Sequence, residues 1–465
     1  MVKLSKNRTL HFIGIGGAGM SAIARILLEQ GYKVTGSDIR ESVNTLRLKD
    51  FGARIYYHHD PLNLREADMV IVSSAISPDN PELKTAYENE IPIVKRAEML
   101  SILMNQFPKK ISVTGTHGKT TTTSMITKML SVANQYPTYL IGADMNDFEG
   151  NAALGQGPYF IAESDESDGS FLCLYPNISV ITNIEAEHMD YYKSVNDIVD
   201  HFDTFIARTI KDEGYIILNQ DDPYLCKFKD QYAPECMITF GIESDALIKA
   251  TNIKSEKTGM TFDLWINGKK EIPIALSIFG IHNIYNALAA ISLGYKENIP
   301  LNTITNSLAQ FSGTKRRLQL MGEVDHIKVY DDYAHHPTEI KVTLDGIKAC
   351  LGSRIICIFQ PHRYSRTQYL LDKFDDHVFE SAHQVIITDI FSAQEDVIEG
   401  ISGKSIVDKL SQKAVFIPQK SKVAAHLIKT LKKDDVVITM GAGDIQSVAK
   451  ELLIQLKQKK VLSSS

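Results

Sequence analysis

Two glycine-bearing stretches and the charged residues that follow them are the parts of this sequence equipped for chemistry. The first is Gly14-Ile15-Gly16-Gly17-Ala18-Gly19, with the spacing G-x-G-x-x-G. It follows TLHFIG, which reads as a strand, and opens SAIARILLEQG, which reads as a helix. In that setting the glycines let backbone N–H groups approach a diphosphate held at a helix N-terminus. Asp38 ends the next strand, where a dinucleotide fold places a ribose-binding acid. A tight strand-to-helix turn without ligand satisfies the same spacing. Among ligands, a nicotinamide cofactor and a UDP-sugar both fit it.

The second stretch is Gly115-Thr116-His117-Gly118-Lys119-Thr120-Thr121, between KKISVTG and TTTTSMITKML. Gly-Lys-Thr at a strand-to-helix turn is the end of a P-loop. Backbone N–H groups cradle phosphate, Lys119 reaches the β/γ oxygens, and the Thr120 hydroxyl can ligate Mg²⁺. The full pattern asks for glycine at position 113, where Val113 stands, so the loop is a shortened variant. Threonines also cap helices, but the preceding strand and the internal lysine favour phosphate. Two such loops exclude a one-cofactor dehydrogenase as the whole account. One site is expected to hold ATP and the other a second phosphorylated molecule.

Acids and histidines follow. Glu163, Asp165, Glu166 and Asp168 crowd the end of the strand YFIAES. Such crowding is costly without a cation, and Mg²⁺ bridging ATP phosphates would relieve it; a solvated acidic loop is the alternative. The next strand, ISVITNI, runs into Glu185-Ala186-Glu187-His188-Met189-Asp190. Adjacent parallel strands end on one edge, so Glu163 and His188 are expected to meet Thr120 there. Later come Lys315-Arg316-Arg317, then Tyr330 to Pro337, then Gln360 to Arg366. Arg363 and Arg366 share a face if that segment is helical, and such a pair suits a carboxylate or phosphate. The alternative is a solvated basic helix start.

These loops need sheets to carry them. Strands alternate with helices along most of the chain, which predicts parallel α/β sheets. The segment ALIKATNIKSEKTGMTFDLWINGKKEIPIALSIFG instead alternates with period 2 and turns at Asn267-Gly268, which predicts a small β-meander. With 465 residues the chain is long enough for about three domains. The Pro-containing junction at Asn105–Pro108 and the turn-rich Phe311–Thr314 predict boundaries giving residues 1–107, 108–313 and 314–465. The Ser/Lys-rich end from Lys459 is expected to fray.

Composition sets outer limits. The chain is 44% hydrophobic and 23% charged, with a net charge of −6, which argues against a general nucleic-acid binder. Five cysteines without a C-x-x-C pair argue against a disulfide framework or zinc knuckle and suit a reducing cytoplasm. The Gly-broken start does not read as a signal peptide. No uncharged apolar stretch approaches about 18 residues, so no membrane span is expected.

The combined motifs are identifiable. HFIGIGGAGMSAIA, GSD, SSAI, RAEML, VTGTHGKTTTTSM, ESDESDGSFL, TNIEAEHMDYY, HNIYNALAA, GTKRRLQ, YDDYAHHPTEI, FQPHRYSRT and GAGDI run almost end to end. Together they resemble the Mur ligases of peptidoglycan synthesis. GADM, and Ala334 where glycine is common, depart from the family's usual pattern.

The resemblance implies a Rossmann-like N-terminal domain for a UDP-sugar, a P-loop-type central ATPase domain and a Rossmann-like C-terminal amino-acid-binding domain. It implies that Gly14, Gly16, Gly17, Gly19, Asp38 and Ser73 serve UDP-N-acetylmuramate rather than NAD. It assigns Gly115, Thr116, His117, Gly118, Lys119, Thr120 and Thr121 to ATP, with Asn283 and Asn286 near adenine and Arg317 and Asp331 approaching from the last domain. Thr120, Glu163 and His188 become the Mg²⁺ neighbourhood. Tyr333, His335, Arg363 and Arg366 face the muramate carboxylate and L-alanine, with His335 a candidate to take the amine proton.

The implied activity is ATP-dependent joining of L-alanine to the lactyl carboxylate through an acyl phosphate, by a cytoplasmic monomer or homodimer. Three rivals remain: a nicotinamide-dependent oxidoreductase, a non-catalytic nucleotide-binding scaffold, and a sibling ligase adding another amino acid or peptide.

Overall fold

The computed structural model describes residues 4–189, 191–411 and 414–464. Asp190 and Ser465, both inside segments singled out above, lie outside the described residues.

Three sheets organise the chain. In the first, the fully buried strand Thr9–Ile13 is central. Lys33–Ser37 and Met69–Val72 flank it, Arg54–Tyr56 and Ile93–Lys95 form the edges, and every pairing is parallel. Strands covered on both faces run apolar, as MVIV does; TLHFI instead carries Thr9 and His11 among its buried positions, and His11 meets Thr35 Oγ1 at 2.8 Å. Chain order reverses between Thr9–Ile13 and Met69–Val72, and such a switch point opens a crevice beyond the strands' C-terminal ends. The Gly14–Gly19 loop follows one of these strands and Ser73 the other.

The second sheet has ten strands. Lys109–Thr114, which leads into the shortened phosphate loop, lies between Tyr159–Glu163 and Ile178–Ile181, parallel to both. Tyr215–Asn219 and Met237–Gly241 continue the sheet on one side. Thr138–Leu140 and the short antiparallel Ala152–Ala153 close the other. The expected meander is present as Ile248–Glu256, Gly259–Ile266 and Lys269–Leu276, and it extends this sheet. Asn267 and Gly268 have φ of 49° and 72°, as a primed hairpin turn requires. Met260, Phe262 and Leu264 are buried on alternate positions, which accounts for the period of 2.

The third sheet runs Gln319–Val324, Ile327–Asp332, Val436–Met440, Ile355–Phe359, Gln384–Ile387, Ala414–Phe416. Only its first pair is antiparallel. Alternate residues serve opposite cores: Ile355, Cys357 and Phe359 pack into one apolar cluster, Ile356 and Ile358 into another. Ile327–Asp332 and Ile355–Phe359 both lie beside Val436–Met440 in parallel, so the loops beginning at Tyr333, Gln360 and Gly441 open on one edge.

The chain gathers into two compact units: residues 1–251, 263–274 and 285–311, and residues 252–262, 275–284 and 312–465. Within the first unit the first two sheets are tied directly. Arg47 makes a bidentate pair with Asp144, both bonds 3.0 Å. Glu29 accepts from the Leu154 N–H at 2.6 Å, and Arg25 donates to the Glu149 carbonyl at 2.9 Å.

The tail differs from the sequence expectation. Helix Gln446–Ser464 continues past Lys459, whose Nζ donates to the Ile428 carbonyl at 3.0 Å, while Lys460 pairs with Asp325. Among the described residues no helix is long and apolar enough to cross a membrane.

Candidate active site

The first glycine loop is held by the strand beside it. The Gly14 and Ile15 N–H groups donate to the Ser37 carbonyl at 2.9 and 3.0 Å, and Gly17 N–H donates to Gly14 O. Gly16 N–H donates to Asp38 Oδ2 at 2.8 Å, and Asn44 donates to Gly16 O. Asp38 also accepts from the Ile39 N–H, so its carboxylate braces the loop it was expected to serve. Helix Ala18–Glu29 begins after Gly17 with no side-chain cap, leaving its first N–H groups for an anion. Gly14 and Ser73 approach each other: a Cβ on Gly14 would lie 3.8 Å from the Ser73 Cβ.

Arg96, which opens the helix Arg96–Met104, reaches the same loop. Its Nη1 lies 3.1 Å from where a Gly19 Cβ would stand. Sequence reasoning passed over this guanidinium, although it begins the RAEML motif.

Beneath the loop lies a second feature that the sequence concealed. Glu82 is fully buried and accepts from Ser37 Oγ, from Asn63 Nδ2 at 2.6 Å and from the Asp60 N–H, with His59 Nδ1 3.1 Å away. His11 Nε2 stands 3.7 Å off. Burial works to raise this carboxyl, but His11, Ser37 and Asn63 outweigh it and hold it down at about 2.

The second glycine loop lies against the strand end at Thr182 and Asn183. Gly115 and Gly118 have φ of 125° and 82°, and a Cβ at either would collide, with Thr182 Oγ1 and Asn286 Oδ1 respectively. Only glycine accommodates both the backbone and the space. Thr116 N–H donates to Asn183 O at 3.0 Å and His117 N–H to Asn183 Oδ1 at 2.8 Å. Thr116 Oγ1 accepts from Glu185 N–H, and the His117 ring meets Glu185 at 2.9 Å. Helix Lys119–Val132 follows and buries Thr120 and Thr121 in its first turn. Asn286 accepts from Thr122 Oγ1 at 3.1 Å, which places it behind the loop. Asn283, one turn earlier on helix Ile281–Lys296, donates to Phe279 O at 2.6 Å.

The edge expected to gather the metal neighbourhood does so in part. Thr120 Oγ1 donates to Glu163 Oε1 at 2.8 Å, and Glu163 Oε2 accepts from Gly142 N–H at 2.6 Å. A hydroxyl beside a carboxylate is an all-oxygen donor pair of the kind a hard cation takes, and these residues fit Mg²⁺. His188 has a φ of 57°, and its Nε2 lies 4.0 Å from Glu166 and 3.9 Å from Glu187.

The acidic cluster, whose crowding had suggested Mg²⁺, has a lysine as counter-charge. Lys119 Nζ lies 3.0 and 2.9 Å from the two Glu166 oxygens and also donates to the carbonyls of Gly115 and Thr116. Burial disfavours the Lys119 charge, but Glu166 and Asp165 raise its pKa above the usual lysine value. Burial lifts the Glu166 carboxyl to about 7, a rise that Lys119 only partly offsets and Asp165 reinforces. Burial pushes Asp165 up, but Lys119, the Ser167 hydrogen bonds and His188 together outweigh it and hold the carboxyl below its usual value.

In the second unit, the edge beyond Tyr333, Gln360 and Gly441 gathers a different set. Asp331 is fully buried and accepts from Arg316 Nε at 3.1 Å and Thr439 Oγ1 at 2.7 Å. Arg316 Nη2 also donates to Gly441 O. Arg317 Nη1 lies 3.7 Å from Glu339, and its guanidinium lies 5.3 Å from the Tyr333 ring centre. His335 meets the Tyr333 carbonyl at 3.1 Å and lies 3.4 Å from Glu339.

The arginine pair departs from the expected arrangement. Helix Tyr364–Leu370 starts after Arg363, whose φ of 70° lies outside helical geometry, so the two arginines do not share a helix face. Arg363 Nε instead donates to Glu395 Oε1 at 2.6 Å, and Ser365 fixes Glu395 through its N–H and Oγ. Arg366 Nη1 meets His362 Nδ1 at 3.2 Å. His362 stacks on Phe391 at 5.6 Å. Burial, then Arg366, push its pKa down to about 4, so the ring is a neutral acceptor for that arginine. His362 and Glu395 were both missed as site residues. The first stands inside a motif, but nothing local marks the second.

Comparison with known proteins follows the same division. Three family models match in series: "Mur ligase family, catalytic domain" at residues 9–108, "Mur ligase middle domain" at 113–294 and "Mur ligase, glutamate ligase domain" at 316–443. A UDP-N-acetylmuramate--L-alanine ligase of Pelotomaculum thermopropionicum is 43% identical over 98% of this chain and 99% of its own length. One from Aquifex aeolicus is 42% identical over 97% and 99%. The crystal structure of the UDP-N-acetylmuramate-alanine ligase of Thermotoga maritima is similar at a TM-score of 0.83 and 29% identity, covering 97% of this chain and all of that one. With matched models in all three sheets and full-length relatives above 40% identity, this chain belongs to the Mur ligase family.

Proposed function

We propose that this chain joins L-alanine to UDP-N-acetylmuramate, forming an amide at the expense of ATP and releasing ADP and phosphate. The carrying observation is the convergence of Lys119, Thr120 and Glu163 at the shortened phosphate loop of a chain alike over its full length to ligases of that name. The modules follow: residues 1–107 for the UDP-sugar, 108–313 for ATP and 314–465 for the amino acid.

A carboxylate is a poor electrophile, so it must be activated. A lactyl carboxylate oxygen attacks the γ-phosphorus, the bond to the ADP oxygen breaks, and an acyl phosphate forms. The alanine amine, having lost a proton, attacks the acyl carbon and phosphate leaves with the bonding pair. Lys119 binds the transferred phosphoryl oxygens and offsets their charge. Thr120 and Glu163, with His188 beyond them, would hold Mg²⁺, which would supply neutralisation of phosphate charge. Gly14, Gly16, Gly17 and Gly19 shape the loop that receives the UDP diphosphate at the start of helix Ala18–Glu29, with Asp38 and Ser73 beside them. Asn283 and Asn286 are assigned to adenine, and Arg317 and Asp331 to ATP. Arg363 and Arg366 orient the alanine carboxylate, Tyr333 lines its site and His335 takes the amine proton. Five free thiols fit a cytoplasmic location, where ATP is also present.

The test is mass-spectrometric identification of the product from ATP, UDP-N-acetylmuramate and each amino acid in turn, with phosphate release followed alongside. L-Alanine is expected in the product. Phosphate release that ignores both acceptor and amino acid would end this reading.

A further inference from the structure

Lys119 has three N–H donors, and four acceptors surround them: two loop carbonyls and both oxygens of Glu166. The ammonium therefore has no donor to spare for a phosphate. The carbonyls of Gly115 and Thr116 belong to the loop that must cradle the phosphate, so they cannot leave. The Glu166 carboxylate can, because a phosphate offers the same anionic oxygens. We propose that Glu166 is a place-holder for the nucleotide phosphate, a positioning residue that keeps Lys119 at its station and yields to ATP.

The surroundings suit that role. Glu166 is buried, and its backbone is pinned: its carbonyl accepts from the Tyr192 hydroxyl and from Gly169 N–H. Its carboxylate is thus presented to Lys119 by a fixed segment rather than by a swinging surface chain. A buried ammonium without a counter-charge is costly, and breaking such a pair by removing one partner is strongly destabilising. Glu166 keeps the loop formed before nucleotide arrives. It also competes with that nucleotide, since the same positive charge cannot serve both fully. While paired with Lys119, the carboxylate also has His188 Nε2 4.0 Å from its Oε1. The pairing differs from that of Thr120 with Glu163, which uses none of the Lys119 N–H donors.

This inference rests on the reading of the loop as a nucleotide site, and the experiment separates the two. ADP binding to the full chain is measured calorimetrically in EDTA, so that no divalent cation contributes. Wild type, Glu166→Gln, Glu166→Met, Glu166→Asp, Lys119→Ala and the Lys119→Ala/Glu166→Gln double variant are compared. Glu166→Gln and Glu166→Met are expected to melt earlier without ligand yet bind ADP about tenfold more tightly, a change of about 1.4 kcal/mol. Glu166→Asp, which keeps the charge, stays near wild type. The gain vanishes when Lys119 is absent.

Unchanged or weaker ADP binding by both uncharged variants, in chains that still unfold cooperatively, overturns the place-holder alone. So does a gain that persists without Lys119. No ADP binding by the wild type overturns the nucleotide reading and the place-holder with it. A crystal structure of the wild type with ADP supplies a measurement free of folding effects. Lys119 is expected on a phosphate oxygen and beyond about 4 Å from Glu166, outside ion-pair range. An intact pair beside bound ADP overturns the proposal.

Discussion

Thr120 Oγ1 donates to Glu163 Oε1 across 2.8 Å, joining the first turn of the helix after the phosphate loop to the end of a neighbouring parallel strand. Two oxygen donors from separate elements are thereby preset at the spot where a cation would meet the nucleotide. Glu163→Gln keeps the shape and removes the charge. It is expected to cut kcat about 100-fold and to shift the Mg²⁺ titration of activity to higher concentration. An unaltered Mg²⁺ dependence would take Glu163 out of the metal neighbourhood.

Lys119→Ala is expected to reduce ligation to background. The variant should still fold, because Glu166, already lifted to about 7 by burial, can take a proton when its partner is gone. Turnover is measured by product formation and folding by a cooperative melt. Near-normal turnover would remove Lys119 from phosphoryl transfer.

Arg96 stands over Gly19 at the first loop. A charge-assisted contact of that kind contributes about 1.5–3 kcal/mol, so Arg96→Ala should raise the KM for the UDP-sugar roughly 10–100-fold. The KM for ATP should not move. Equal effects on both substrates would point to general loosening instead.

Glu82 links acidity to the stability of the same region. Its carboxyl sits at about 2 when folded against an ordinary 4.5. A depressed acid contributes in full above its unfolded value and loses that contribution as pH falls towards the folded one. The contribution is on the order of 3 kcal/mol. Urea unfolding of wild type and Glu82→Gln should therefore differ clearly at pH 7, and the gap should close between about pH 4.5 and 2. A gap independent of pH would show that the charge of Glu82 is not what stabilises. Because Ser37 joins Glu82 to the N–H groups of Gly14 and Ile15, the variant should also weaken UDP-sugar binding.

Arg366 Nη1 donates to a neutral His362, so the ring holds the guanidinium in place without neutralising its charge, which a carboxylate can then meet. Arg366→Ala is expected to raise the KM for L-alanine about tenfold or more with the UDP-sugar KM unchanged. Loss of UDP-sugar affinity without an alanine effect would reassign this arginine.

Much of the site was legible because its signals are local. A glycine needed for a positive φ, a lysine one residue later and acids at strand ends are all readable from neighbours in the chain. Parallel pairing then carried Glu163 to Thr120 without further information, since parallel strands share an edge. Arg363 and Arg366 misled for the same local reason. Their spacing of three assumed a helix, whereas Arg363 sits just outside it with φ of 70°.

What the amino-acid sequence determined by itself is the alternation of strands and helices, the meander and the two glycine loops, because hydrophobic period, turn chemistry and glycine spacing act over a few residues. What only the tertiary structure decided is which charges face which. Glu166 on Lys119, Glu82 under Ser37 and Glu395 on Arg363 each join residues 30 or more positions apart. Coulomb attraction in a buried site depends on distance and burial, and neither exists until the sheets have assembled.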